Sequence, residues 1–339
     1  MTLNRLTSSI PSVNLLFVVK KKLLLTILFF IISFPSSNAF TFEGPLRVKN
    51  QLPLFMHIDA PYLETARIEN SFSTSLSYSS VYLVRESPKW SIGLDMEVTE
   101  LNLTLKKNIK NFLEVGVDIP IVSFNSGFMD GFLNSYHDAF GFPDYGRSNR
   151  PNNKFLYEVR REGILIVDGK GGHINIGDIK LRLKKTILYG DPAISIKGDL
   201  EFPTGDARDG YGNGGIDAGV AILVDKKLSD KVMTYLNIGA VFPGDFKGHE
   251  TVELKEYIYS GAGVEAYLLK NLNLLAQVFI QGSPYPKTEI SAVDRTAVLL
   301  SLGGRYLFGK NSIEFSFTED LNTSGASDLT FNFSFKKNF

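Results

Sequence analysis

The chain of 339 residues has no cysteine, a single tryptophan and four histidines. Without cysteine there is no disulfide framework, no Cys-x-x-Cys redox pair, no thiolate metal site and no lipid attached through an N-terminal cysteine. The histidines, at 57, 137, 173 and 249, are too scattered for a multi-histidine metal cluster. Nothing in the composition calls for a cofactor. An excess of one charge is also missing, because 36 basic residues balance 36 acidic ones. Arg5, Lys20, Lys21 and Lys22 precede residue 40 with no acid among them, so the remainder carries 32 basic and 36 acidic residues, a net charge of −4. That balance excludes nucleic acid as a partner. After residue 34 no apolar run reaches the ~20 residues of a membrane-spanning helix.

What is present begins with Lys20-Lys21-Lys22, an uncharged apolar run from Leu23 to Phe34, and Ser37-Asn38-Ala39. Basic start, short apolar core and small-residue exit are the parts of a secretory signal peptide, with cleavage expected after Ala39. An exported chain without a spanning helix is either soluble or a β-barrel. Alternation separates the two. Ile68, Phe72, Thr74, Leu76, Tyr78 and Tyr82 share one face of a strand, while Glu69, Ser71, Ser73, Ser75, Ser77 and Ser79 share the other. A wall between lipid and a polar lumen has this pattern, whereas the inner face of a soluble sandwich needs larger side chains.

The pattern recurs. Trp90, Ile92, Leu94, Met96 and Val98 are expected outward with Asp95 and Glu97 inward, and a β-bulge near Thr99-Glu100 then restores Leu101, Leu103 and Leu105 to the outside. Leu113 to Ile121 continues it with Glu114 and Asp118 inward. Ile174 and Ile176 pass through a slip at Gly177-Asp178 to Ile179, Leu181 and Leu183, over Lys180, Arg182 and Lys184. Lys197, Asp199 and Glu201 face inward on the next strand. The chain ends in Leu329, Phe331, Phe333, Phe335 and Phe339, an alternating aromatic strand that looks like the assembly signal of outer-membrane barrels. Lys337 departs from that signal, since its position is usually apolar.

Even strand number, short periplasmic turns and long outer loops give a tally of twelve antiparallel strands. Fourteen is the alternative, if 155–168 and Val48–Ile58 also cross. Pro53 opposes the latter, because proline cannot donate to a strand ladder. The expected organisation is a signal peptide at 1–39, a periplasmic segment at 40–66 and a barrel at 67–339. Residues 123–172 form a large external loop, with a small hairpin and an amphipathic stretch from Phe128 to Phe140. Its aromatic side is expected to pack on the barrel mouth or fold inward as a plug.

The stretches at 44–55, 123–148 and 201–219 carry a resemblance to an uncharacterised family of bacterial outer-membrane proteins, known only as a domain of unknown function. The last stretch is also similar, more distantly, to outer-membrane channels of aromatic-compound degradation operons. The resemblance implies an outer-membrane barrel of a Gram-negative-type bacterium and supplies no reaction or site residue.

Candidate functional residues are therefore the inward charges. Asp95, Glu97, Glu114 and Asp118 face Lys180, Arg182, Lys184 and Lys197, either as a structural network or as a selectivity field across a water path. Arg305, Glu265 and Glu314 are expected to join them. Asp206, Asp209, Asn213 and Asp217, in a glycine-rich loop at 203–217, offer hard oxygen ligands but lack EF-hand spacing. Ser135, His137 and Asp138 are adjacent in sequence, which does not by itself make a catalytic triad. Asn102, Asn322 and Asn332 match the glycosylation triplet and read as ordinary polar positions. The function expected is passive passage of a small solute, hydrophobic solutes included, with no catalytic residue. The alternatives are a non-conducting structural or surface-binding barrel and, third, a lipid-modifying enzyme. Expected partners are outer-membrane lipid, the barrel-assembly machinery and the solute.

Overall fold

A computed structural model of the chain describes residues 42–141, 146, 147, 150–322 and 324–339, with only the backbone of 137 and 140. The expected signal peptide and its cleavage site lie outside the described residues. In chain order the elements are β1 (Ser71–Glu86), β2 (Trp90–Asn108), β3 (Leu113–Asn125), α1 (Asp130–Phe140), β4 (Leu156–Arg161), β5 (Ile164–Asp168), β6 (Ile174–Ile176), β7 (Ile179–Leu188), β8 (Ala193–Phe202) and β9 (Asp217–Ser229). They continue with β10 (Val232–Phe242), β11 (Phe246–Lys247), β12 (Thr251–Val252), β13 (Tyr257–Leu269), β14 (Leu272–Gln281), α2 (Ser291–Asp294), β15 (Ala297–Phe308), β16 (Asn311–Asp320) and β17 (Leu329–Asn338).

Twelve of these strands pair antiparallel in a closed ring, β1-β2-β3-β7-β8-β9-β10-β13-β14-β15-β16-β17, and β17 closes onto β1 from Ser71↔Asn338 to Ser80↔Leu329. Closure leaves no free edge, the condition for a sheet in lipid. Connections at 109–112, 189–192, 230–231, 270–271 and 309–310 are short, and at the other end those at 126–178, 203–216, 243–256, 282–296 and 321–328 are long, with only the tight β1–β2 turn at 87–89 departing from the rule, which orients the barrel as expected. Leu76, Leu105, Leu183, Ile222, Ile238, Phe315 and Phe333 are exposed on the outer face and form the lipid-facing belt.

Five strands lie outside the ring; β11 and β12 pair only with each other, and β4, β5 and β6 extend the main sheet. β4 and β5 form the expected hairpin, but neither crosses the membrane, because β4 pairs with the upper end of β2, Trp90↔Arg161 to Asp95↔Leu156. β6 pairs with the upper end of β3, and its register (Ile121↔Ile176) is one residue out of step with β3–β7 (Asp118↔Lys180), which is the slip expected at Gly177-Asp178. Pro53 sits in a turn rather than a strand.

The other expected bulge is absent. β1 and β2 pair without a register shift from Ser71↔Lys106 to Glu86↔Ser91. Ser77 opposes Glu100 and Ser79 opposes Val98, so every even-numbered residue from Trp90 to Lys106 faces inward. Trp90, Ile92, Leu94, Met96 and Val98 are therefore inside, and Asp95 and Glu97 are outside, the reverse of the expectation. β1 and β2 are long strands, 16 and 19 residues, and their upper ends rise above the apolar belt. There the outer face meets polar loop and the inner face meets an apolar filling, so alternation is kept while its polarity inverts.

The external segment α1 lies against that outer face. Glu97 accepts hydrogen bonds from the Phe128 N–H at 2.7 Å and from the N–H of Met129, a carboxylate held at a helix N-terminus. Met129 and Leu133 are buried with Leu329, against Tyr78 and Phe331. Phe128 and Phe132, expected to pack on the mouth or plug the lumen, do not enter the lumen: both are largely exposed, Phe128 with its ring stacked on Tyr78 of the outer wall and Phe132 stacked on Tyr136. The helix covers the wall from outside because its buried side is Met129-Leu133.

Candidate functional site: the lumen and the segment that fills it

The segment expected in the periplasm is inside the barrel. Among residues 42–66, Leu46, Leu52, Phe55, Met56, Ile58, Leu63 and Ala66 are each at most 1 % exposed, a burial no free segment achieves. The path is a hairpin. The Gly44 N–H donates to Tyr235 Oη at 3.2 Å and the Leu46 N–H to Gln277 Oε1 at 3.0 Å. Asn50 Nδ2 reaches the carbonyl of Gly325, in an outer loop, at 2.5 Å. A turn over Leu52–Ile58 follows, closed by Phe55 and Met56 N–H groups on the Leu52 carbonyl. The descending arm bonds Asn237 through Glu64 and Asp225 through Thr65 and Ala66 before entering β1. An isolated bridge, Lys49↔Tyr62, joins the two arms.

Two environments stack along the axis. At the external end, the hairpin's Leu52, Leu54, Phe55, Met56 and Ile58 form one apolar cluster with Trp90, Ile92, Leu94, Met96 and Val98 of the wall. Phe55 and Trp90 both meet the Tyr285 ring, at 6.0 and 6.5 Å between centroids. His57 is buried here beside Gly177, and burial with the repulsion of Lys49 holds it neutral, its pKa pushed down to about 3. Asp178, in the loop before β7, accepts from the Gly205 and Asn213 N–H groups at 2.8 Å each, and burial pushes its carboxyl up to about 6.

Below this cluster the contacts are ionic. Arg182 pairs with Asp118 at 2.5 Å, Asp199 at 3.3 Å and Glu64 at 3.4 Å. Lys197 pairs with Asp199 at 2.7 Å and Glu64 at 3.1 Å, and Lys106 with Glu64 at 2.9 Å and Glu69 at 2.6 Å. Lys180 meets Asp59 at 2.6 Å and Glu201 at 3.4 Å. Lys184 meets Glu114 at 3.0 Å and donates to the carbonyls of Thr65 and Arg67. Toward the periplasm, Lys336 joins Glu69 at 2.5 Å and Glu43 at 3.3 Å. Burying so many charges without partners would cost several kcal/mol each, so the hairpin's four carboxylates and the wall's cations fix one another's positions.

Of the expected site residues, Glu114, Asp118, Lys180, Arg182, Lys184 and Lys197 come together. They do so between adjacent strands and through the hairpin, not as opposed acidic and basic walls. Asp95 and Glu97 do not join them, and Asp95 instead meets Arg150 at 2.6 Å on the outside. Arg305, Glu265 and Glu314 make their own cluster, at 2.7 and 2.5 Å, with Arg305 also donating to the Gly44 carbonyl at 2.8 Å. The reading from sequence missed Asp59 and Glu64 as lumen residues, and placed Glu69 on the polar inner face without joining it to the charge network. The hairpin leaves little space, and a cavity among Glu43, Arg47, Glu64, Lys106 and Lys336 holds about 20 Å³, roughly one water.

In the loop at 203–217, Asn213 Nδ2 donates to both Asp217 oxygens, at 2.7 and 2.8 Å, and Asp209 faces Lys170 at 3.5 Å, so these groups are spent on one another. Ser135 Oγ donates to the Gly131 carbonyl at 2.9 Å. The His137 side chain lies outside what is described.

A closed ring greased outside, lined with polar groups and threaded by its own N-terminal segment defines an outer-membrane β-barrel, and the protein resides in the outer membrane of a Gram-negative-type bacterium. The chain belongs to the family described as a protein of unknown function (DUF3187), whose model matches residues 22–339. No curated protein matches. Among solved structures it is similar to the COG4313 outer membrane channel from Pseudomonas putida F1, at 12 % identity and a TM-score of 0.54, over 80 % of this chain and 96 % of that one. The CymD monoaromatic hydrocarbon channel matches at 13 % identity and a TM-score of 0.39, over 80 % and 89 %. A Pseudomonas aeruginosa FadL homologue matches at 9 % and 0.39, over 88 % and 100 %. At 12 % identity the likeness to the first of these shows the fold alone.

Proposed function

We propose that this protein is a passive outer-membrane channel for a small solute, hydrophobic solutes included, held closed in this conformation by residues 42–69. One observation carries the reading: the lumen is filled by a separable hairpin rather than by side chains of its own wall. On withdrawal of that hairpin the wall would expose Lys180, Arg182, Lys184 and Lys197 beside Asp118 and Glu114, and these charges would select what passes. Phe331, Phe333 and Phe335 on the outer face of β17, with Phe339 after it, would serve as the signal to the barrel-assembly machinery. A second reading, a barrel that conducts nothing, is favoured by the apolar cluster at the external end, which has the packing of a permanent core.

The absence of cysteine allows a direct test. A Cβ built on Gly263 lies 3.6 Å from the Pro45 Cβ, within the range that a disulfide spans. The variant P45C/G263C in planar bilayers should conduct when reduced and fall silent when oxidised, reversibly. Conductance that ignores the tether would remove the hairpin as a gate, and a silent bilayer for the native protein under all conditions would favour the second reading.

A further inference from the structure

The lipid-facing side of β7 to β10 carries a charge where a barrel avoids one. Outward residues along β7 run Leu181, Leu183, Lys185 and Ile187, so Lys185 stands inside the apolar row, between Leu113 of β3 and Ile196 of β8. A lysine on the lipid face is costly unless it reaches the interface or meets an anion. Beside it the wall is hollow. Gly198 has Leu183 and Val220 as cross-strand neighbours, and nothing lies closer than 3.9 Å to where its Cβ would be. The result is a depression of about 670 Å³ bordered by Leu183, Ile196, Val220, Ile222, Ile238 and Lys185. Lys226, outward on β9 in line with Val220 and Ile222, stands beyond its periplasmic end. Both lysines are exposed, and neither forms an ion pair among the described residues.

We propose that this depression binds one anionic phospholipid of the periplasmic leaflet, with an acyl chain over Gly198 and the headgroup phosphate between Lys185 and Lys226. The occupant follows from charge and position. Both lysines lie toward the short-turn end of the barrel, where the turns hold Lys110, Lys231, Lys270 and Lys310 against Asp191 and Asp230. An acyl chain matches the apolar border, and a phosphate matches a pair of lysines as point charges.

Native mass spectrometry of the detergent-purified mature protein, titrated with phosphatidylglycerol or with phosphatidylcholine of the same chains, tests the site. One phosphatidylglycerol should be retained at least about tenfold more strongly than phosphatidylcholine, since each lysine near an anionic headgroup contributes about fivefold. Lys185→Gln with Lys226→Gln should erase that preference. Gly198→Leu should weaken both lipids alike, and heat-dependent gel mobility checks that each variant is folded. Equal retention of the two lipids by the native protein, or a preference unchanged in the lysine variant, would overturn the proposal.

Discussion

β2 contains two regions with the same alternation and opposite meanings. From Leu101 to Leu105 its leucines face lipid and its polar residues face the lumen. From Trp90 to Val98 its apolar residues face the lumen, and Asp95 and Glu97 face outward, with no bulge between the two regions. Alternation reports that the two faces differ; it does not say which face is inside. That depends on what lies beyond each face, and above the membrane the wall is built like a water-soluble protein around the hairpin's apolar tip.

The comparison can be broken most forcefully at matched leucines. Leu94 is fully buried in the external cluster, so Leu94→Asp places an unpaired charge there and should cost at least about 5 kcal/mol. Leu103 faces lipid, where an acid costs about 2 kcal/mol or less and can reach toward the interface. Guanidinium unfolding of the barrel in vesicles measures both, and equal losses would mean the two regions are not inverted.

Acid provides the next largest effect. Burial and the repulsion of Lys49 push the pKa of His57 down to about 3 from the 6.5 of a free imidazole, so folding holds it neutral while the unfolded chain takes up the proton. Its contribution is therefore present above pH 6.5 and lost as the pH falls toward 3, by an amount of about 4 kcal/mol. Asp178, raised to about 6, works in the opposite sense: its contribution is present below the ordinary carboxylate range and lost as the pH rises through 6. His57→Leu should leave stability at pH 7 nearly unchanged and flatten the acid limb between pH 6.5 and 4 in the same unfolding assay. An unflattened limb would place the acid sensitivity in the carboxylate network instead.

How much of this was legible follows from the same physics. The ring, its twelve strands and its orientation were readable because lipid imposes one rule on most outward residues of β3, β7 to β10 and β13 to β17, with Lys185 an exception within the apolar row. The hairpin was not, because residues 42–66 have no period, and nothing local distinguishes a chain that threads a lumen from one that waits outside it. The wall did carry a hint. Gly219, Gly261 and Gly303 face inward, and a barrel this narrow cannot leave such positions empty. Leu63 and Asp59 crowd the first two places, with atoms 2.6 Å from a Cβ on Gly261 and 2.1 Å from one on Gly219. These inward glycines form the seat on which the hairpin packs.

Gly303 and Gly304 sharpen that point at a smaller scale. They are adjacent on β15, one facing the hairpin and the other lipid. A Cβ on Gly303 would lie 2.6 Å from the Phe315 carbonyl oxygen and 3.1 Å from Leu46 Cδ2, whereas on Gly304 nothing lies closer than 3.8 Å. Gly303→Ala should destabilise the barrel by about 2 kcal/mol through overpacking, and Gly304→Ala should be neutral or slightly stabilising. The difference between the two unfolding midpoints is the quantity to measure.

The smallest effect separates Glu97 from the charges it was grouped with. Glu97 lies outside the ring and receives the first N–H groups of α1, so it serves as the helix's N-terminal acceptor without belonging to the lumen network. Glu97→Ala removes that acceptor at a cost of about 1 kcal/mol, paid locally by the helix rather than by the barrel. Limited proteolysis within 126–155 should therefore speed up several-fold while the unfolding midpoint of the ring barely moves. The proposed channel adds a second readout, because loss of an outward carboxylate should leave ion selectivity where it was, whereas Arg182→Gln should change it. A shift in selectivity from Glu97→Ala would return that residue to the lumen and, with it, undo the inversion of β2.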